Sequence, residues 1–282
     1  MSNQIYLIGP IMKAARKFKK FNQADVAQAI GCSQSALSKM EHNLLVPSAP
    51  QWFLFARYTA IPPETLETGI IDRQTRIKFN SSEVSLGFKI PKRYRPYRAD
   101  RMRELYPFLQ VLKKDFPELE KEFILSTELE PEFFLDFDNL INFQLLADMM
   151  AFFINHGKGS PETIKRVVEF GQNEVYWDNY RVEWKKLTSL QEVLTEYVKE
   201  QVFFQSDFLL KLEGGAERVG LSYFPEFHLK QMGMVFSNEV VQFLNLYRKF
   251  TIEHLLKNTL AREVSAEIVQ EGLGARFEVR AA

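Results

Sequence analysis

The chain has 282 residues, 46% of them hydrophobic, and a formal net charge of zero at neutral pH. That length favours two domains over one and suffices for a sizeable core, while the zero balance removes any whole-molecule electrostatic case for a nucleic-acid or membrane partner. A single cysteine, Cys32, excludes an internal disulfide and fits a reducing compartment, with the cytoplasm as the expected location. No apolar run reaches the roughly 18 residues of a membrane span, so no membrane partner is expected. The start, MSNQIYLIGPIMKAARKFKK, places its short apolar stretch before its positive charges, the reverse of a signal peptide.

In chain order, Ile8, Ile11, Met12, Ala15 and Phe18 mark an amphipathic first helix. Asn22 is an N-cap, Asp25 sits in the first turn where a carboxylate favours the dipole, and Val26 and Ile30 repeat at helical spacing. A second helix is therefore expected from about Gln23 to Ile30. Gly31 supplies a left-handed stop, Ser33 a second cap, and Leu37 and Met40 the next apolar stripe, which makes a helix-turn-helix. Pro47 to Tyr58 and Pro63 to Ile70 complete a bundle of about five helices.

Residues Gln4 to Asp72 resemble the lambda-repressor-like, XRE-type helix-turn-helix family. The resemblance is carried by Gln23-Ala24-Asp25-Val26-Ala27, Gly31-Cys32-Ser33-Gln34-Ser35, Leu37-Ser38-Lys39-Met40-Glu41 and Pro47-Ser48. It covers about a quarter of the chain. It departs where the family usually has glycine after the recognition helix: here Asn43, tolerant of left-handed geometry, takes the turn. The resemblance implies double-stranded DNA as partner, with Gln34, Ser35, Ser38 and Lys39 on the free face of the recognition helix. Gln34 and Ser35, at the helix start, are the candidates for base edges, and Gln23 matches the position that holds a phosphate. Asn43 belongs to the same expected DNA-binding set. The resemblance further implies a buried ion pair between Arg16 and Glu41. His42 borders the turn, either reaching a phosphate or standing in solvent. Cys32 is expected to pack rather than to sense redox state.

After Asp72 the charge changes. RQTRIKFNSSEVSLGFKIPKRYRPYRADRMR carries Arg73, Arg76, Lys78, Lys89, Lys92, Arg93, Arg95, Arg98, Arg101 and Arg103 against Glu83 and Asp100, a net charge of about +8. Pro91 and Pro96, with Tyr94 and Tyr97 between arginines, argue for an extended segment. It either follows DNA phosphates or docks on the acidic remainder of the chain.

From about Asp100 the sequence is rich in aromatics. Leu140 to Gly157 is apolar nearly all round and predicts a buried helix with a glycine stop. Ser160-Pro161 opens another helix, running to about Phe170, and Ser189 with Glu192 forms a capping box before the next. Gly214-Gly215 and Gly272-Leu273-Gly274 mark two hairpins flanking a helix from about Ser237 to Lys257. Glu130, Glu132, Asp136 and Asp138 alternate with phenylalanines as in an ordinary amphipathic segment. In element order alone this half resembles the 4-vinyl reductase-like and haem-nitric-oxide-binding-like ligand sensors.

The expected fold is mainly α: a five-helix repressor-like helix-turn-helix bundle (1–72), a basic linker (73–103), and an α+β domain with a small antiparallel sheet (104–282). The bundle is expected to have little spare apolar surface, so a homodimer would form through the larger domain. Trp177, Tyr180 and Trp184 are candidates for a pocket that takes a small apolar or aromatic effector, although aromatics at this spacing more often form core. His156, ending the buried helix, is the one histidine placed like an axial ligand; a helix-terminal histidine facing the dipole is commoner. No catalytic residue, metal site or cofactor is expected, there being no phosphate loop, nucleophile elbow or histidine metal motif. The leading reading is a transcriptional regulator. The alternatives are an interaction module that keeps the fold without reading DNA, and a cofactor sensor.

Overall fold

The computed structural model describes residues 8–62, 65–72, 87–98, 100–171, 184, 186–204, 208–215, 218–225, 229, 236–270 and 272–281. They are mainly helical with small antiparallel sheets, and they divide into two compact units. The first comprises residues 1–103 and 124–141, the second residues 104–123 and 142–282.

In the first unit, α1 (Ile8–Phe18), α2 (Gln23–Ala29), α3 (Gln34–Glu41), α4 (Ala49–Thr59) and the short α5 (Thr65–Thr68) form the bundle. The local reasons are those of helix ends. Asn22 Oδ1 accepts from the Asp25 amide at 2.8 Å and Ser33 Oγ from the Ala36 amide at 3.1 Å, each satisfying a donor without an intrahelical partner. Ser48 and Gln51 close a capping box on α4. Ile11, Met12, Ala15, Val26, Ala27, Ile30, Leu37 and Phe55 are buried and fill the space between helices. Gly9 is required by close approach: a Cβ there would lie 2.5 Å from the Met40 carbonyl oxygen and 2.8 Å from that of Glu41.

No local sequence signal marks the return of residues 124–141 to this unit. Ile71 and Asp136 form a parallel bridge, with the Ile71 amide donating to the Leu135 carbonyl at 2.8 Å. Strand β1 (Asp100–Arg101) pairs antiparallel with β2 (Leu140–Ile141). Three of the carboxylates read as an ordinary amphipathic segment fasten this return instead, and the fourth orders it from within. Glu132 takes Lys13 at 2.7 Å, Glu130 takes Lys17, Asp138 takes Arg101 at 2.5 Å, and Asp136 Oδ1 accepts the Asp138 amide. The basic segment therefore lies partly against carboxylates: Arg101 and Arg103 are buried, the latter paired with Asp72. Nor is it wholly extended, since Lys92–Tyr94 makes a 3-10 turn after Pro91. Residues 73–86 lie outside the described residues.

The second unit packs α6 (Tyr106–Asp115), the first part of α7 (Pro117–Thr127), α8 (Phe143–Asn155), α9 (Pro161–Gly171), α10 (Leu190–Phe204) and α11 (Asn238–Leu260) with a four-stranded sheet. Its strands, β3 (Phe208–Gly214), β4 (Arg218–Pro225), β5 (Val264–Gln270) and β6 (Arg276–Ala281), are ordered β3-β4-β6-β5, all antiparallel. The predicted helix over 140–157 starts later than expected, because Leu140 and Ile141 are strand and Asn142 then caps α8 through the Leu145 amide. The stop at Gly157, φ +67°, holds.

The expectation that the bundle has little spare apolar surface is overturned. Leu44, Leu45 and Val46 after α3, and Phe53, Leu54 and Tyr58 on α4, are all exposed, Leu44 by 77%. Helical periodicity places apolar residues on a face without saying that anything covers it.

Candidate nucleic-acid interface

Helix α3 presents Gln34, Ser35 and Lys39 to solvent, with Ser38 half-buried beside them and Leu37 and Met40 turned to the core. These are an amide, hydroxyls and an ammonium group at the amino-terminal end and free face of one short helix, the chemistry that hydrogen-bonds base edges and phosphates. His42 is turned back: its Nδ1 lies 2.7 Å from the Ser38 carbonyl oxygen and is therefore the protonated nitrogen. Asn43 adopts φ +57°, and its Oδ1 accepts the Gly9 amide at 2.9 Å, which gives it a structural task at the end of α3.

Behind α3 lies a buried charge network. Arg16 Nε and Nη2 donate to the two oxygens of Glu41 at 2.6 and 2.8 Å, a bidentate pair in which the Glu41 side chain is only 1% exposed. Gln23 Nε2 donates to Glu41 Oε2 at 2.9 Å, and Arg16 Nη1 to the Phe21 carbonyl at 3.1 Å. A carboxylate in the last turn of a helix opposes the dipole, and the guanidinium offsets that cost. The network ties α1, the start of α2 and the end of α3 together. Gln23 has a second amide hydrogen to donate to a phosphate, and a carbonyl oxygen that can accept from the phosphate's hydrating water. Cys32 is half-buried, with Sγ 3.5 Å from the Ser33 carbonyl oxygen; burial pushes its thiol up, so it is a poor thiolate at neutral pH.

In the second unit, Trp184 is buried, whereas Trp177 and Tyr180 lie outside the described residues. His156 Nδ1 is 2.9 Å from the Phe152 carbonyl oxygen and Nε2 is 3.3 Å from Glu122 Oε1, so both ring nitrogens are engaged. Among the described residues no group of three or more histidine, cysteine, aspartate or glutamate side chains is placed to hold a metal ion, and no helix is long and apolar enough to cross a membrane.

A polar nest that sequence reasoning missed lies on α11. Arg248 stacks between the rings of Phe208 and Tyr223, 4.1 and 4.2 Å from their centroids, and its Nη1 donates to the Leu273 carbonyl at 3.1 Å. Burial lowers its pKa to about 10. Asn245, one turn earlier, donates to the Gly272 carbonyl at 3.2 Å. Tyr197 and Tyr223 join hydroxyls at 3.1 Å, and burial raises both phenols. The available signal was two polar residues three apart among the apolar positions of a long helix.

Residues 12–66 match the helix-turn-helix family, of the XRE type, which spans the whole of α2, the turn and α3. Among solved structures, the Fe(II) unliganded H-NOX protein from K. algicida is similar at 15% identity and a TM-score of 0.47, covering 64% of this chain and 96% of its own. A single-residue mutant of that protein gives the same values. A structure concerned with modulating haem redox potential through protein-induced porphyrin distortion is similar at 14% identity and a TM-score of 0.45, covering 64% of this chain and 98% of its own. Likeness at this level assigns neither ligand nor activity to the chain. No curated protein matches it.

Proposed function

We propose that the protein is a cytoplasmic, non-enzymatic transcriptional regulator that reads double-stranded DNA with α3. Gln34 and Ser35 address base edges, Ser38 and Lys39 flank them, Gln23 holds a phosphate, and Asn43 shapes the turn beside the backbone. The observation that carries this reading is the helix-turn-helix match over residues 12–66, together with the exposed polar face of α3. One recognition helix covers few base pairs, so the protein acts as a homodimer whose two α3 helices enter major grooves about one turn, roughly 34 Å, apart. The second unit, residues 104–123 and 142–282, forms the sensing and dimerisation part. Support for sensing is the buried nest of Arg248, Asn245 and the tyrosines, polar groups of a kind that fix a small ligand's orientation in an apolar surround.

The test is selection from a pool of random duplexes by the intact chain. Enrichment of one partly palindromic sequence is expected; recovery of the pool without enrichment would overturn the proposal. A second reading, protein docking on the bundle, draws on the exposed Leu44, Leu45, Val46, Phe53 and Leu54. It gains if the chain selects no duplex.

A further inference from the structure

The ten cations of residues 73–103 do not share one fate. Arg101 and Arg103 are buried against Asp138 and Asp72. Lys89, Lys92, Arg93 and Arg95 instead line a concavity of about 520 Å³ with Ile90, Pro91 and one carboxylate, Glu128, and all four cations are exposed. Four cations against one anion around a single opening make a site for an acceptor-rich anion.

The arginines are held in place by the backbone. Arg93 Nη2 donates to the Ser126 carbonyl at 2.6 Å while its guanidinium lies 4.7 Å from the centroid of the Tyr94 ring, and Arg95 Nε donates to the Ile90 carbonyl at 2.7 Å. A guanidinium carries five N–H donors in a planar fork, and anchors of this kind orient the fork before any anion arrives.

The segment is also fixed to the helix that braces α3. Gly87 packs so closely on the end of α1 that a Cβ would fall 2.1 Å from the Lys17 carbonyl oxygen. Phe88 is buried, with Lys17 Nζ 5.5 Å from its centroid and Phe133 edge-on at 5.3 Å. On the same helix, the neighbouring Arg16 holds Glu41 at the end of α3. Lys19 and Lys20 are exposed just beyond α1.

We propose that the Lys89–Arg95 concavity takes the phosphodiester backbone flanking the site read by α3, as a second, sequence-independent contact. This rests on the DNA-reading proposal above. Phosphate contacts position a protein and add affinity for every sequence alike, each displacing counterions.

The test measures the affinity of the intact chain for its selected duplex and for a scrambled duplex across a series of salt concentrations. The variants are K89Q/K92Q, which leaves the arginine anchors untouched, and R93K/R95K, which keeps the charge. K89Q/K92Q is expected to weaken both duplexes by the same factor and to flatten the slope of log K against log salt by about 2, close to 0.9 for each phosphate no longer neutralised. R93K/R95K should keep most of the slope. A slope unchanged in K89Q/K92Q, with wild type still preferring the selected duplex, would overturn the inference while leaving DNA reading intact. Loss of preference in the wild type itself would instead count against α3 as the recognition helix. Inorganic phosphate supplies the remaining arm: if it protects Lys89 and Lys92 from acetylation in DNA-free protein while the slope is unchanged, the concavity is a free-phosphate site and the DNA assignment is wrong.

Discussion

Replacing Glu41 with alanine removes the acceptor for three N–H donors at once, Arg16 Nε, Arg16 Nη2 and Gln23 Nε2. The Arg16 side chain is 12% exposed, so most of its desolvation cost stays and its compensation goes. Breaking a buried pair by deleting one partner costs about 3–5 kcal/mol. Arg16 keeps the Phe21 carbonyl and a narrow route to water, which places the expected loss at the lower end, about 3 kcal/mol. For a unit of this size that corresponds to a fall of roughly 10 °C in melting temperature. Calorimetry on the intact chain should show the transition of the first unit moving down while that of the second stays. The double replacement Arg16→Met with Glu41→Leu should recover most of the loss, since no uncompensated buried charge remains. An unmoved transition in Glu41→Ala, or a double variant as unstable as the single, would refute the reasoning.

Three further outcomes follow from the geometry and a fourth from the proposed twofold dimer. Gly9→Ala pushes a Cβ against two backbone oxygens of α3 and should destabilise the first unit by about 1–3 kcal/mol and weaken DNA binding without altering any side chain of the proposed DNA face, read by calorimetry and by titration with duplex. Asp138→Ala takes the paired carboxylate from the buried Arg101 and should detach the return of residues 124–141, seen as faster amide exchange there. Glu192 accepts the Thr188 and Ser189 amides, which hold its carboxyl below its ordinary value; its contribution is present above that value and lost as pH falls through the lowered one, so Glu192→Gln should flatten the acid side of the stability profile. Sedimentation of the intact chain should show a concentration-dependent dimer, and a monomer at every concentration, with and without DNA, would remove the twofold reading.

Much of the fold was legible because helix ends and hairpins are written locally. Asn22, Ser33 and Ser189 each accept the backbone donor that their positions imply, and Gly31 and Gly157 take the left-handed stops. The return of residues 124–141 was not legible. Glu130 and Glu132 alternate with phenylalanines as a solvated face would, and only the three-dimensional pairing with Lys17 and Lys13, more than a hundred residues away, distinguishes the two. The start of α8 was misplaced for a related reason: Leu140 and Ile141 are as apolar as the helix that follows, and their strand pairing with Arg101 and Asp100 is a long-range fact. At the proposed DNA-reading face, residue types marked α3, but the engagement of Gln23 with Glu41 and of Asn43 with Gly9 needed coordinates. Arg248 and Asn245 were passed over because a periodicity reading weighs apolar positions and says nothing of a polar residue buried among them.

The central claim is that the exposed face of α3 chooses DNA sequence, and it is tested most directly by the ratio of affinities for the selected and the scrambled duplex, measured for the intact wild-type chain and for Q34A/S35A/K39A at one salt concentration. Each base-edge interaction is worth about 1–3 kcal/mol, so the triple variant should lose at least tenfold in that ratio while its melting temperature changes little and its affinity for the scrambled duplex falls only by the share of the one cation removed, Lys39. A ratio that survives the triple replacement in a folded protein would contradict the account.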